Sequence, residues 1–500
     1  MSLSALQIIA RPLGAFEDHA DIGAPALAGD ATYNAASQEY VFTASGINMW
    51  GKSDQFHFAW RKMQGDFILQ ARVEFLGTGE AHRKAGWMVR KSLDADSPYV
   101  DGAIHGDAAA HGDGGARMQF RRTAGAITEE SDMIGDGADV IQLERRGNVY
   151  IVSAAKYGEP YQVRKIEDIN LGDEVYVGLF LCSHNGQTLT QAVLRDVRVI
   201  IPASADFKPY HDYIGSQLEL LDLASGHRQI IYSSADPFEA PNWTTDGQAL
   251  IFNSSGADPD KRGRLYRFDL ATRRVTLIDT GFAHRLNNDH VLSFDGSMVG
   301  ISDQTTGKGE STIFTLPASG GIPKRITPLT PSYLHSWSPD GKYLLYTGGR
   351  NGVFDIYRAP ADGSGHEVQL THNTGLNDGP EYSPDGKSIY FNSTRNGKMQ
   401  IFRMNADGSN QVQLTNDEYN NWFPHVSPDG KWLSIISYVD EIAPTDHPYY
   451  KRVYLRLMPV EGGTPRVIAY VYGGQGTINV PSWSPDGKML AFVSNTDMKW

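Results

Sequence analysis

Strand-like segments followed by an Asp-Gly turn recur six times, at Asp246, Asp295, Asp340, Asp385, Asp429 and Asp486, and the residues that precede these turns carry the groups best suited to chemistry. Counting back five residues from each aspartate reaches Pro241, His290, His335, Pro380, Pro424 and Pro481, with His425 directly after the fifth. Neutral imidazole is a good ligand for zinc, nickel, copper and related ions. His290, His335 and His425 are therefore the candidate ligands of a divalent metal, against the plainer reading that they hydrogen-bond neighbouring loops. Amides and carboxylates crowd the same stretches: Asn287, Asn288, Asp289, Asn377, Asp378, Asn420, Asn421 and Asn479, beside Trp422. Arg350 and Arg395 recur at matching points, in Gly349-Arg350-Asn351-Gly352 and Thr394-Arg395-Asn396-Gly397. Guanidinium forks, amides and an indole suit an acidic or hydroxyl-rich ligand, although Arg-Asn-Gly is also ordinary turn chemistry. The candidate ligand-binding set is Arg350, Arg395, Asn288, Asp289, Asn377, Asp378, Asn421, Trp422 and His447.

His447 lies in the longest interval between turns, in a segment from Tyr438 to Arg452 that also holds Asp440, Glu441, Tyr449 and Tyr450. Long loops are often functional. This one would serve as a lid or supply an acid or base, or else pack against the rest of the protein. Earlier in the chain, His105-Gly106-Asp107 and His111-Gly112-Asp113-Gly114 form a loop whose oxygens would suit calcium, without the spacing of an EF-hand. Trp50, Trp60 and Trp87 are candidates for a sugar-stacking platform, with Trp87 better placed for a core. There is no Gly-X-Ser-X-Gly elbow, Walker loop, dinucleotide fingerprint or His-Glu-X-X-His, which sets a serine peptidase aside.

The elements that must position these groups follow from the repeat. Glycines of the Asp-Gly pairs are spaced 49, 45, 45, 44 and 57 residues apart, and four pairs sit in Ser-Pro-Asp-Gly-Lys. A period near 45 suits one four-stranded propeller blade per repeat, and Asp-Gly is favoured where a hairpin needs positive φ. The last repeat ends after two strands near Phe492, while Gln217–Leu221 and Gln229–Tyr232 form two strands before the first. Joined, these halves make a sixth blade that closes the ring without an exposed edge. Before residue 205 the repeat is absent, but alternating segments such as Phe67–Phe75, Trp87–Arg90 and Val175–Leu181 predict sheets with one buried face. The expectation is all-β: a jelly-roll sandwich over residues 1–205 and a six-bladed propeller over 206–500, joined by a Pro- and Ala-containing linker.

Composition fits that reading and removes others. Forty-five Lys and Arg against 58 Asp and Glu leave a net charge of −13, which repels phosphate backbones and argues against nucleic acid. No apolar run nears the ~20 residues that span a bilayer. Cys182 is the only cysteine, so internal disulfides and thiolate metal centres are excluded. Met1-Ser2-Leu3-Ser4 does not read as a secretory leader.

Trp/Tyr-Ser-Pro-Asp-Gly-Lys, with Arg403-Met404-Asn405-Ala406-Asp407-Gly408 further on, resembles the TolB-type six-bladed propeller family over roughly residues 210–500. The small α/β domain that precedes the propeller in TolB has no counterpart here. Ala85–Arg90, Val177–His184 and Val197–Ile200 resemble concanavalin-like, laminin-G-like jelly rolls, which occur beside carbohydrate-active modules. The propeller is also similar to oligogalacturonate lyases, whose channel holds a histidine-rich metal site, but their His-X-His pairing is absent. Three functions are implied. The first is binding of carbohydrate or another cell-envelope polymer, a small polar or acidic ligand being held at the funnel or the jelly roll. The second is a metal-dependent carbohydrate-active enzyme, with a divalent metal in the channel and its base in the Asp440–His447 loop. The third is a TolB-like scaffold reading a protein partner. The resembled families imply a periplasmic or secreted location.

Overall fold

The computed structural model describes residues 13–498, apart from 107–114, 133, 210, 257, 259, 307–308 and 373–374. The proposed calcium loop therefore lies largely outside the described residues. The chain divides into two compact units, one ending at Pro202 and the other beginning at Ala203.

The first unit is two antiparallel sheets. One runs in the order Asp18–Ile22, Phe56–Gln64, Glu174–Cys182, Lys84–Arg90, Tyr99–His105, Gly115–Arg121 and Ile134–Asp136. The other runs Gln162–Ile166, Val149–Ala155, Val140–Arg146, Phe67–Leu76, Asn185–Ile200, Glu39–Gly46 and Asp30–Asn34. Because side chains alternate across a strand, each sheet sends one row inward. Trp87, Val89 and Leu179 of the first meet Phe42, Leu69 and Leu143 of the second in a single core. Trp60 and Trp87 are buried and Trp50 is the exposed one of the three tryptophans, so no platform of three rings exists. Cys182 is buried and unpaired.

The second unit is a six-bladed propeller. Blades 1 to 5 are four-stranded, their innermost strands being Phe238–Trp243, Leu286–Leu292, Ser332–Trp337, Asn377–Tyr382 and Asn420–Val426. Blade 6 closes the ring: Met489–Thr496 pairs with Gly215–Asp222, which pairs with Arg228–Ser234, and Trp483 bridges Leu490 as the inner strand. The closing strand is stitched by register, Leu218 opposite Val493 and Glu219 opposite Phe492. Both ends of the propeller segment thus meet in one sheet, as the repeat count requires.

The repeated turn has a local cause. In blade 3, Ser338 Oγ donates to Asp340 Oδ1 at 2.7 Å, Lys342 N donates to the same oxygen at 3.1 Å, and Tyr343 N donates to Ser338 Oγ at 2.9 Å. Gly341 sits at φ +70°, the left-handed region that side chains resist. The other blades repeat the Ser/Thr-to-Asp bond at 2.6–2.7 Å. Serine, aspartate and glycine are thus three parts of one device that reverses the chain at the end of each inner strand.

Candidate functional site

At the other end of the inner strands of blades 1 to 5 the chain enters through a bulge. The pairing register shifts between Glu239 and Asn242, Leu286 and His290, Leu334 and Ser336, Asp378 and Glu381, and Trp422 and His425. Ala240, Gly379 and Phe423 take positive φ at equivalent points, +58°, +60° and +51°. A bulge re-aims the side chains beside it. Counting back seven residues from the turn aspartates gives Glu239, Asn288, Tyr333, Asp378, Trp422 and Asn479. Five of these, all but Trp422, line a cavity of about 870 Å³ at the propeller mouth. Thr445, His447 and Tyr449 of the long blade 5 insertion line it too, so this segment folds over the funnel. Tyr438 Oη anchors it by donating to Pro448 O at 3.0 Å.

The floor is rich in buried carboxylates. Glu239 accepts from Asn288 Nδ2 at 2.9 Å, and Asp289 accepts from Asn479 Nδ2 at 2.9 Å and Asn287 Nδ2 at 2.7 Å. Asp378 accepts from Thr347 Oγ1 at 2.6 Å and Gly379 N at 2.8 Å, and pairs with His335 Nε2 at 3.1 Å. These environments separate the three acids. Burial pushes the Glu239 carboxyl up to about 7, against hydrogen bonds from Ser255, Asn288 and Tyr449, with the charge of Asp289 adding to the rise. Burial also raises Asp289, the nearby His335 opposing it. At Asp378 burial again acts upward, but the bond to His335 and its charge win and hold the carboxyl at about 2. His335 is correspondingly raised: burial works against its charge, and Asp378 and Asp289 outweigh it.

The structure separates the residues that the sequence suggests. Asn288, Asp289, Asp378, His335 and His447 line the cavity. Arg350 does not. Its guanidinium binds Glu367 at 2.8 Å through both Nε and Nη2 and reaches Pro331 O at 2.7 Å. Arg395 is likewise spent on Gln411 Oε1 at 2.7 Å and Asn377 Oδ1 at 2.9 Å. Asn377 donates to Asp355 at 2.8 Å, Asn421 donates to Gln400 Oε1 at 3.1 Å and accepts from Arg456 at 2.7 Å, and Trp422 is fully buried under His447. These five are spent on packing within a blade or, for Asn377 and Asn421, on bonds to the blade before, whereas Glu239 and Tyr333 line the site without having been singled out. Their signal was the count of seven rather than five.

Nor are the three histidines gathered into one coordination set. His290 is wholly buried, with Nε2 donating weakly to Ile251 O at 3.4 Å, and burial pulls it down to about 4. Both nitrogens of His425 face acceptors, Glu381 Oε2 at 2.6 Å and the Ile478 carbonyl, leaving no lone pair directed at a metal. Only His335 reaches the cavity. Among the described residues no group of three or more His, Cys, Asp or Glu side chains is arranged to hold a metal ion, so the residues present do not fit the expected channel metal.

Comparison with known proteins agrees with the propeller geometry. The family model for the TolB beta propeller domain matches residues 331–447. An uncharacterized protein of Agrobacterium fabrum (strain C58) is 45% identical over 279 residues, which are 56% of this chain and 92% of that protein. A solved structure assigned as TolB from Agrobacterium tumefaciens is 44% identical, covers 57% of this chain and all of that one, and superposes with a TM-score of 0.54. TolB from Acinetobacter baumannii is more distant, at 19% identity and a TM-score of 0.38 over 65% of this chain and 80% of that one. Through its propeller, the chain belongs to the TolB-like β-propeller family.

Proposed function

We propose that this protein is an interaction scaffold whose propeller funnel receives a segment of a protein partner. The observation that carries this reading is the cavity itself: it is built by the inner-strand ends of the ring and roofed by the blade 5 insertion, on a propeller that shares 44% identity with the Agrobacterium tumefaciens structure assigned as TolB. Concave mouths lined by a few convergent polar groups are where such folds bind. The carbohydrate reading has no comparable support from these relatives. Residues 1–205 would form a concanavalin-like jelly roll that extends the scaffold, residues 206–500 the receiving propeller, and the periplasm is the location this reading favours. Among the described residues no helix is long and apolar enough to cross a membrane.

Site-specific photo-crosslinking in cells tests it. A photoreactive residue at Tyr333, in the funnel, is expected to trap one defined protein that the same residue at Trp432 does not. Trp432 is exposed and begins the second strand of blade 5 after the turn, at the far end from the mouth. Equal labelling from both positions, or none from Tyr333, contradicts docking in the funnel.

A further inference from the structure

Resting on that docking reading, we infer that the floor of the funnel takes a single cationic group, an ammonium or guanidinium presented by the partner segment. Glu239 and Asp289 are 6% and 4% exposed, and among the described residues neither has an ion-pair partner. Their side chains are hydrogen-bonded by neutral amides and hydroxyls. Carboxylates buried without a counter-charge are costly, and the nearby cations are committed or remote. His335 is paired to Asp378 and only its field reaches Asp289, while Arg262, His284 and Arg285 lie on the exposed rim.

A second observation points the same way. Asn253 lines the cavity, is 2% exposed, and its Oδ1 has no hydrogen-bond partner. Gln475 Oε1, also in the lining, is unpartnered too. Vacant acceptors beside unpaired carboxylates ask for a ligand rich in donors, which an ammonium or guanidinium supplies. The titratable groups facing Glu239 are Asp289, Tyr213, Tyr449 and Tyr450, so no basic side chain there already answers its charge. Because burial holds Glu239 near 7, a bound cation expels its proton, and affinity rises with pH across that value.

The test uses the full chain with n-butylguanidinium and n-pentylammonium as probes, and 1-pentanol and pentanoate as neutral and anionic counterparts, followed by ligand-observed NMR titration. Either cation is expected to bind about 10-fold tighter than pentanol, the difference that one charge-assisted bond makes. That margin should widen between pH 6 and pH 8, on either side of the Glu239 value of about 7. It should vanish in Glu239→Gln/Asp289→Asn, whose fold is checked by its melting transition. Pentanol binding as well as the cations, pentanoate binding better, or cation affinity unchanged in the folded double variant overturns the inference. The wild-type comparison stands even where the variant does not fold. These probes need no partner, so their failure leaves docking to be judged by crosslinking alone.

Discussion

Glu239 and Glu381 occupy equivalent stretches of different blades and meet opposite fates. Glu381 answers His425 at 2.6 Å and also accepts Val426 N at 2.8 Å, so Glu381→Ala strands a buried imidazole and a backbone donor together. A loss of about 3–5 kcal/mol is expected on removing one partner of such a pair; equilibrium urea unfolding reads it, and a change below about 1 kcal/mol contradicts the pairing. Glu239 has no such imidazole partner, and its effect depends on pH. Its folded value is raised from 4.5 to about 7, so between those values the folded protein keeps a proton that the unfolded chain releases. Stability therefore falls as pH rises through this window and stays reduced above it, by at most about 3 kcal/mol. Glu239→Gln should be nearly neutral at pH 5 and more stable than wild type at pH 8, by thermal melts at both. Equal melting shifts at the two pH values would show that the carboxyl is not held protonated. Neither fate was legible in the sequence, because Glu381 and His425 are 44 residues apart and meet only when blades 4 and 5 pack. The same holds for Arg350, whose partner Glu367 lies 17 residues on.

At the scale of elements, the turns were readable and the lead-in loops were not. Asp-Gly constrains φ and supplies the side-chain acceptor locally, so the signal lies within five residues. Gly341→Ala isolates the conformational part: nothing lies within 4 Å of an added Cβ, while φ is +70°, so about 1–2 kcal/mol is expected. Gly296→Ala should cost more, since its Cβ would run into Thr245 Oγ1 and come within 3.1 Å of Cγ2. Denaturation midpoints of the two variants give the order, and a reversed order contradicts this account of the turn. The bulges at the other end carry no comparable mark, and each one shifts which residue faces the funnel. That is why nearness to the inner strands put Asn377 and Asn421 alongside the true lining residues Asn288 and Asp378. His290 and His335, aligned by the count of five, and His425 beside the fifth position are likewise dispersed, two to strand packing and His335 to the cavity.

Across the whole molecule the closing sheet decides whether the funnel exists, since Glu239 and Asn479 face each other's blades only in a closed ring. Phe492 is wholly buried in that sheet, with the Arg228 guanidinium 5.2 Å from its ring centre. Phe492→Ala should cost about 3–5 kcal/mol and weaken every funnel ligand with it, whereas a variant that unfolds more easily yet binds unchanged would separate closure from binding. The repeat period made this closure foreseeable, because half a blade stands at each end of the array. The measurement nearest the central claim is the affinity of the crosslinked partner, once purified, for wild type and for Tyr333→Ala/Tyr449→Ala, by calorimetry on the full chain. Both tyrosines line the cavity, so at least about 10-fold weaker binding is predicted, the effect of losing an aromatic anchor. Unchanged affinity in a variant that melts like wild type would place recognition elsewhere on the protein.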